Sequence, residues 1–367
     1  MNKRMRECSG CMACKNVCPC KCIQIKVDCT GNFIRLIDSE KCIQCGLCDT
    51  VCPSKVLPQM MVPAKAYAAR SKKPERRSAS GGIATGIYRY CISNNIVCVG
   101  VKYDEKLVAR YDVVGGIENI DQFGSSKYVC SHMGHIYKKI DSYLQNGKTV
   151  VFIGLPCHVA ALRNVLRGQN DNLICIDLVC HGVASDKFLL EHIDRMRGVE
   201  KNKVGFIEFR DKKNDRGITL QESGTNKTLK AQSKYEDEYM LGYRSGFIYC
   251  EQCYRCRYAQ ETRCSDITIK DFCGNCMTEK LSGVLVNTEK GKAFLDKIEP
   301  YFMLYDYPVS QMIAEDAMLR RPTPERKRRK LFLLLYPLLG FDKTIRLLCF
   351  HTLLKEKGKK LMHALKY

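Results

Sequence analysis

Apolar and polar positions divide the chain into many short strand and helix signals. Ile23-Gln-Ile25-Lys-Val27 and Gly31-Asn-Phe33-Ile-Arg-Leu36-Ile alternate at the strand period and predict a hairpin. Residues 61–77 read as a linker, with Pro63, Pro74 and a basic run from Arg70 to Arg77. A helix over residues 83–92 follows, then strands over 96–101 and 109–114 and a helix over 131–145. The clearest pattern starts at residue 149. A buried strand (149–153) meets the tight turn Gly154-Leu155-Pro156-Cys157, a helix (158–167) and a second buried strand (173–179). Strand, helix, strand at this spacing implies parallel pairing through a right-handed crossover. Cys157 and Cys180 then lie at the carboxyl ends of neighbouring strands, the edge where open α/β sheets bind ligands. Strands over 204–232, a helix over 235–244, strands over 265–272 and 283–286 and a helix over 289–298 complete the body.

Beyond Pro322-Thr-Pro324 the pattern changes. Arg326-Lys-Arg-Arg-Lys330 is a solid basic block, and residues 331–341 are apolar but broken by Pro337. That run is too short to span a bilayer. Residues 344–354 place Ile345, Leu348, Cys349 and Leu353 on one helical face, with Lys355, Lys357, Lys359 and Lys360 beyond. Such a segment either lies on an anionic membrane surface or packs on the body with its basic face solvated.

Composition sharpens the picture at one point. The 367 residues include 24 cysteines. Met1 is followed by Asn-Lys-Arg-Met-Arg-Glu with no apolar run before Cys8, so no export signal is expected, and dense C-x2-C groups then mean metal in a reducing cytoplasm. The formal charge of +21 omits the negative charge of thiolate-bound clusters. It suits an acidic redox partner or an anionic membrane; without a nucleic-acid-binding motif, no nucleic acid is expected.

The cysteines carry the chemistry. Cys8, Cys11, Cys14 and Cys18-Pro19 are followed by Cys42, Cys45, Cys48 and Cys52-Pro53. This is C-x2-C-x2-C-x3-C-P twice, the spacing of two-cluster ferredoxins, in which the fourth cysteine of each run ligates the other cluster. Cys8, Cys11, Cys14 and Cys52 are assigned to one [4Fe–4S] cluster, and Cys42, Cys45, Cys48 and Cys18 to a second. A zinc or disulfide framework is the competing reading. Cys20, Cys22 and Cys29 read as spare thiols, and Cys91, Cys98, Cys130, Cys175 and Cys349 as small buried apolar residues. Ser80-Gly81-Gly82, opening a helix behind Arg76 and Arg77, is a candidate seat for a dinucleotide pyrophosphate. Ser125, Ser126 and Lys127 could contact phosphate or cap a helix. His158 and His181 are candidate proton relays or packing residues at the sheet edge.

Taken together, Ser80-Gly-Gly-Ile-Ala-Thr85, Gly154-Leu-Pro-Cys157, Asp177-Leu-Val-Cys-His-Gly-Val183, Cys253-Tyr-Arg-Cys256, Ser265-Asp-Ile-Thr-Ile269 and Asp271-Phe272 resemble the coenzyme F420 hydrogenase/dehydrogenase beta-subunit family. The resemblance runs from Cys8 to about Ile298. It implies an α/β flavoprotein body with FAD and a further [4Fe–4S] cluster, expected at Cys157, Cys180, Cys253 and Cys256. It adds Asp266 and Asp271 to Arg77, Ser80, Gly81, Gly82, Ser126 and Lys127 as expected cofactor-binding residues. Leu155 and His158 stand where the family usually has Thr and Gln, and Cys250 where Arg is common. Cys250, Cys264, Cys273 and Cys276 are extra thiols that a fourth metal centre could use. Family members also occur in organisms that lack F420, often beside surface-polysaccharide genes, so the substrate stays open.

The expected architecture is mixed α+β and α/β. A ferredoxin-type domain (1–60) precedes a flavin-phosphate region (61–150) and a C-terminal body region (151–310) with a largely parallel sheet; a basic helical tail follows (311–367). The expected function is electron transfer between a two-electron carrier (a deazaflavin, a nicotinamide or a small substrate) and ferredoxin-type clusters, with ferredoxin or another redox protein as partner. The alternative is an electron-transfer subunit or accessory protein with no substrate of its own. The expected location is cytoplasmic, with peripheral membrane attachment through the tail.

Overall fold

A computed structural model describes residues 5–167, 170–225, 227–274 and 280–354. Cys276 and the lysines from 355 onward lie outside the described residues. At the N-terminus, β1 (Met5–Cys8), β2 (Ile23–Val27) and β3 (Phe33–Ile37) form an antiparallel sheet in the order β1–β3–β2. The expected hairpin is present, with Ile23 opposite Ile37 and Val27 opposite Phe33. The two cysteine runs wrap short helices, Ala13–Val17 and Leu47–Thr50. Each helix is entered through a left-handed residue, Met12 at φ 63° and Gly46 at φ 75°. Met12 tolerates this conformation at some cost, whereas Gly46 adopts it freely.

The body holds β4 (Lys65–Ser71), β5 (Val97–Tyr103), β6 (Ala109–Val113), β7 (Val150–Gly154) and β8 (Leu173–Leu178). A separate antiparallel sheet contains β9 (Val204–Asp211), β10 (Gly217–Glu222) and β11 (Thr228–Gln232). β12 (Ile267–Asp271), β13 (Ser282–Val286) and β14 (Phe302–Tyr307) return to the main sheet, whose order is β14–β4–β13–β12–β8–β7–β5–β6. The β5–β7, β7–β8 and β8–β12 pairs are parallel. The remaining pairs are antiparallel, which leaves β4 running with these four, five of eight strands in one direction. Helix Pro156–Val165 makes the β7-to-β8 crossover, as the pattern predicts.

One expectation fails. Residues 65–71 are not linker but a strand between β13 and β14. Ala66, Ala68 and Ala69 have little intrinsic strand preference, and the nearby prolines and basic residues mask the signal. Two paired neighbours impose the strand on a sequence that does not ask for it.

The tail is docked. Helices Lys327–Leu339 and Phe341–Leu348 bury Phe332, Tyr336, Phe341 and Ile345. Phe188 meets Phe332 and Phe341 at ring separations of 5.6 and 5.4 Å. The face carrying Ile345, Leu348 and Cys349 is therefore the inward one. Among the described residues no helix is long and apolar enough to cross a membrane.

A buried histidine clamps this docking. His192 Nδ1 bonds Asp342 of the tail at 2.6 Å, and its Nε2 bonds Asp237 at 2.9 Å. Donating from both nitrogens requires the imidazolium. Burial opposes that charge, but the carboxylates of Asp237 and Asp342 outweigh it and raise the pKa from 6.5 to about 10. Between these values the folded chain holds a proton that the unfolded chain has lost. The stabilisation is thus complete below pH 6.5 and disappears as pH rises to 10. His192→Gln should cost about 3 kcal/mol, the scale of breaking a buried ion pair. Urea unfolding should show a larger deficit below pH 6.5 than near pH 10.

Candidate iron–sulfur site

In the N-terminal module, Cys8, Cys11 and Cys14 are buried beside Cys52. Burial, followed by the neighbouring Cys11 thiol, pushes Cys8 up to about 12. The thiols lie near enough to raise one another, an effect that a bound cation would reverse. Cys42 and Cys45 lie close enough to Cys48 to act on it in the same sense. Cys22, which reads as a spare thiol, sits with its sulfur 3.4 Å from that of Cys18 and beside Cys42. The C-x2-C spacing gives no sign of it, because the hairpin brings it there.

In the body, one cavity of about 110 Å³ is lined by Cys157, Cys180, Cys253 and Cys256. Cys157 begins the crossover helix after β7, and Cys180 follows β8, so parallel pairing sets them side by side. Cys253 and Cys256 arrive on the 3₁₀ turn Glu251–Arg255 and the residue after it. Burial drives Cys157 far above the ordinary thiol range, and the thiols of Cys256, Cys180 and Cys253 add to it. The charge of Cys11 also reaches Cys157. Glu7, Ser9, Pro53 and Ser54 close the cavity from the side of the N-terminal module. Tyr137 donates to the Cys11 carbonyl at 2.8 Å and Tyr258 to the Pro53 carbonyl at 2.7 Å, which fixes that wall.

His158 and His181 both line the cavity. His158 is 2 % exposed, its Nδ1 lies 2.9 Å from the Tyr111 hydroxyl, and burial pulls its pKa down to about 3. Its ring is held in the cavity wall against Tyr111. His181 is exposed, and its carbonyl accepts from Thr323.

Most of the residues expected to bind a cofactor gather toward the carboxyl edge of the parallel strands. Ser80 donates to the Leu281 carbonyl and the Gly81 N–H to Ser282, just ahead of the helix Ile83–Ser93 that Gly82 caps. A Cβ on Gly81 would stand 2.4 Å from the Ala69 carbonyl, so the backbone approach of β4 requires glycine. Arg77 lies 3.7 Å over the Phe206 ring and bonds Gln221. Lys127 donates to the Gly124 carbonyl at 2.7 Å; burial and the nearby Arg77 push it down to about 7. Two cations side by side in a shielded place suit an anionic group. Ser126 precedes Lys127 in the same loop, half-buried. Asp271, at the end of β12, pairs with Arg210 at 2.6 Å. Asp266 departs from the set. It precedes β12, at the strand's amino end, and its carboxylate accepts from Arg163, the Cys175 N–H and Thr288. It is 1 % exposed and has a structural part.

Residues 147–304 match the family described as the C-terminal part of the coenzyme F420 hydrogenase/dehydrogenase beta chain, and residues 36–57 match a 4Fe-4S binding domain. Residues 147–304 are thus a C-terminal domain of the coenzyme F420 hydrogenase/dehydrogenase beta-subunit family. All four cavity cysteines fall within the first span, and Cys42, Cys45, Cys48 and Cys52 within the second. No curated protein matches the chain. Among solved structures, the xenon-derivatized F420-reducing [NiFe] hydrogenase complex from Methanosarcina barkeri contains a similar chain. The two share 16 % identity over 70 % of this chain and 91 % of that one, with a TM-score of 0.47. Family and ferredoxin domain together make this an iron–sulfur electron-transfer protein of the oxidoreductase type.

Tyr111 is a site residue the motifs miss. Its hydroxyl accepts from the Leu155 N–H at 3.1 Å and meets His158, fixing the turn that presents Cys157. Tyr111→Phe leaves both partners unsatisfied and should destabilise the fold by about 1–2 kcal/mol, measured by chemical denaturation.

Proposed function

We propose that this chain is a flavin-linked iron–sulfur oxidoreductase. It exchanges electrons between a two-electron carrier or small substrate at the carboxyl edge of the main sheet and a ferredoxin-type protein at the N-terminal module. The observation that carries this reading is the four-thiol cavity. Cys157, Cys180, Cys253 and Cys256 surround one space whose opposite wall is the module carrying the Cys8, Cys11, Cys14 and Cys52 set. Four thiols in an apolar, water-poor setting are the donor set of a [4Fe–4S] cluster. Arg77 and Lys127 fit the phosphates of FAD, with Ser80, Gly81, Gly82 and Ser126 forming the surrounding loop edge. Clusters and flavin together would convert two-electron into one-electron transfer. The chain's part is to hold the thiol sets near one another, to exclude water with Leu155, Val183 and Tyr258, and to hold His158 against Tyr111 at the cavity wall.

Anaerobic purification followed by iron, acid-labile sulfide and flavin analysis tests this reading. About twelve irons and one FAD per chain are expected, three four-iron clusters on these ligand sets. Cys253→Ser should reduce the iron to about eight while the ferredoxin-type signals survive. About eight irons and no flavin in the parent chain would overturn it.

A second reading concerns the tail. Leu331, Leu334 and Leu338 on one helix and Leu347, Phe350 and Leu354 after it repeat at i, i+3, i+7 and are exposed, Leu338 to 77 %. Arg326, Lys327, Arg328 and Lys330 are exposed at the start of the first helix. An apolar stripe beside a basic block suits the surface of an anionic membrane. The chain should sediment with anionic but not neutral vesicles, and Leu334→Asp with Leu338→Asp should abolish this. A parent that stays in the supernatant at low salt would sink the tail's role.

A further inference from the structure

Cys130, His132 and Asp186 form a cluster outside the cysteine sets assigned above. Their donor atoms all lie within 4.8 Å of one another. Cys130 Sγ is 3.8 Å from His132 Nε2, and the same Nε2 is 3.1 Å from Asp186 Oδ2. Sulfur and oxygen thus converge on one ring nitrogen. A thiol–imidazole–carboxylate relay would need them on opposite nitrogens. Ligands on a tetrahedral zinc, at about 2.3 Å for sulfur and about 2.0–2.1 Å for nitrogen and oxygen, stand roughly 3.3–3.6 Å apart. The observed separations bracket that range.

The cluster is rigidly built. The Cys130 N–H bonds the Ala184 carbonyl, and the His132 N–H bonds the Ala109 carbonyl, both at 2.8 Å. Tyr111 N–H closes the loop onto the His132 carbonyl at 3.1 Å. Asp186 Oδ1 accepts from Lys187 N–H at 3.0 Å and Ser185 Oγ at 3.3 Å, which leaves Oδ2 to face the histidine. The Phe33 ring meets His132 edge-on at 6.1 Å. Cys130 is 3 % exposed, and the His132 and Asp186 side chains are 12 % and 16 % exposed. Cys250, 1 % exposed, lies nearby but turns its sulfur to the Gly31 carbonyl at 3.7 Å and stands outside the cluster.

We propose that Cys130, His132 and Asp186 hold a single divalent metal ion of the zinc class. Mixed sulfur, nitrogen and oxygen donors at tetrahedral spacing suit zinc better than the hard cations. The site ties the loop after β6 and the N-terminus of helix Asp186–Arg195 together beneath the ferredoxin-type hairpin. With three protein ligands, the fourth tetrahedral position is left to a solvent molecule. Cys130 is then a ligand and not the inert apolar residue that its isolated position in the sequence suggests.

The test uses the full chain, purified anaerobically with its iron retained and dialysed against trace zinc. Elemental analysis should find about one zinc per chain, tightly held, in addition to the cluster iron. Zinc-edge X-ray absorption, which is blind to iron, should show one sulfur neighbour at about 2.3 Å and lighter atoms at about 2.0–2.1 Å. Cys130→Ser and Asp186→Asn should each lower zinc at least severalfold while iron and sulfide per chain stay at the parent value. Unchanged iron also shows that the variants have folded. Zinc that is absent from the parent, that has only light-atom neighbours, or that persists in Cys130→Ser with iron intact overturns the proposal.

Discussion

The ion pair between Arg263 and Asp177 is the point on which the geometry of the body turns. The guanidinium and carboxylate meet at 2.7 Å with both side chains almost wholly out of water. Asp177 lies in β8, three residues before Cys180. Arg263 also donates to the Tyr258 carbonyl, two residues after Cys256. A buried charge left alone is very costly, so neither partner can leave while the other remains. The strand end bearing Cys180 and the loop bearing Cys253 and Cys256 are thereby locked in register. Arg163 with Asp266 and Lys270 with Asp316 repeat the device along the same sheet, at 3.1 and 3.2 Å.

That lock gives the cavity its two walls. The parallel β7–β8 pair presents Cys157 and Cys180 at one edge, and the N-terminal module docks against that edge through tyrosine hydroxyls and backbone carbonyls. Glu251 N–H to Asn32 at 2.8 Å and Lys187 to the Cys29 carbonyl at 2.9 Å add contacts on the hairpin side. Directional bonds of this kind fix orientation more tightly than apolar packing alone, and electron transfer between thiol sets depends on orientation and spacing. The tail follows the same logic at lower cost, with one protonated histidine shared by two carboxylates and a cluster of phenyl rings.

The tail also illustrates how one amphipathic sequence can be read from either side. Periodicity selects Ile345, Leu348 and Cys349 as an apolar face but does not say what covers it. In the fold Phe188 and its neighbours cover it, and the remaining leucines form a second stripe facing solvent. A helix apolar on two sides satisfies one partner and leaves the other face exposed, a pattern that marks an interaction surface more often than chance exposure.

Local spacing and periodicity were enough to read much of this protein from its sequence. The ferredoxin runs, the hairpin between them and the strand–helix–strand that puts Cys157 beside Cys180 all depend on residues within a few turns of one another. The resemblance, carried by short motifs, named the family and grouped Cys253 and Cys256 with that pair. Tertiary structure decided what depends on distant partners. β4 is a strand because β13 and β14 pair with its alanines. Asp266 belongs to the structural network because it sits at the amino end of β12. Cys22 and Cys130, alone in the sequence, acquire neighbours because a hairpin and a helix N-terminus are folded against them. Sequence fixes the chemistry a side chain can perform; what it meets is set by chain segments tens to hundreds of residues away, whose approach only the packed sheet determines.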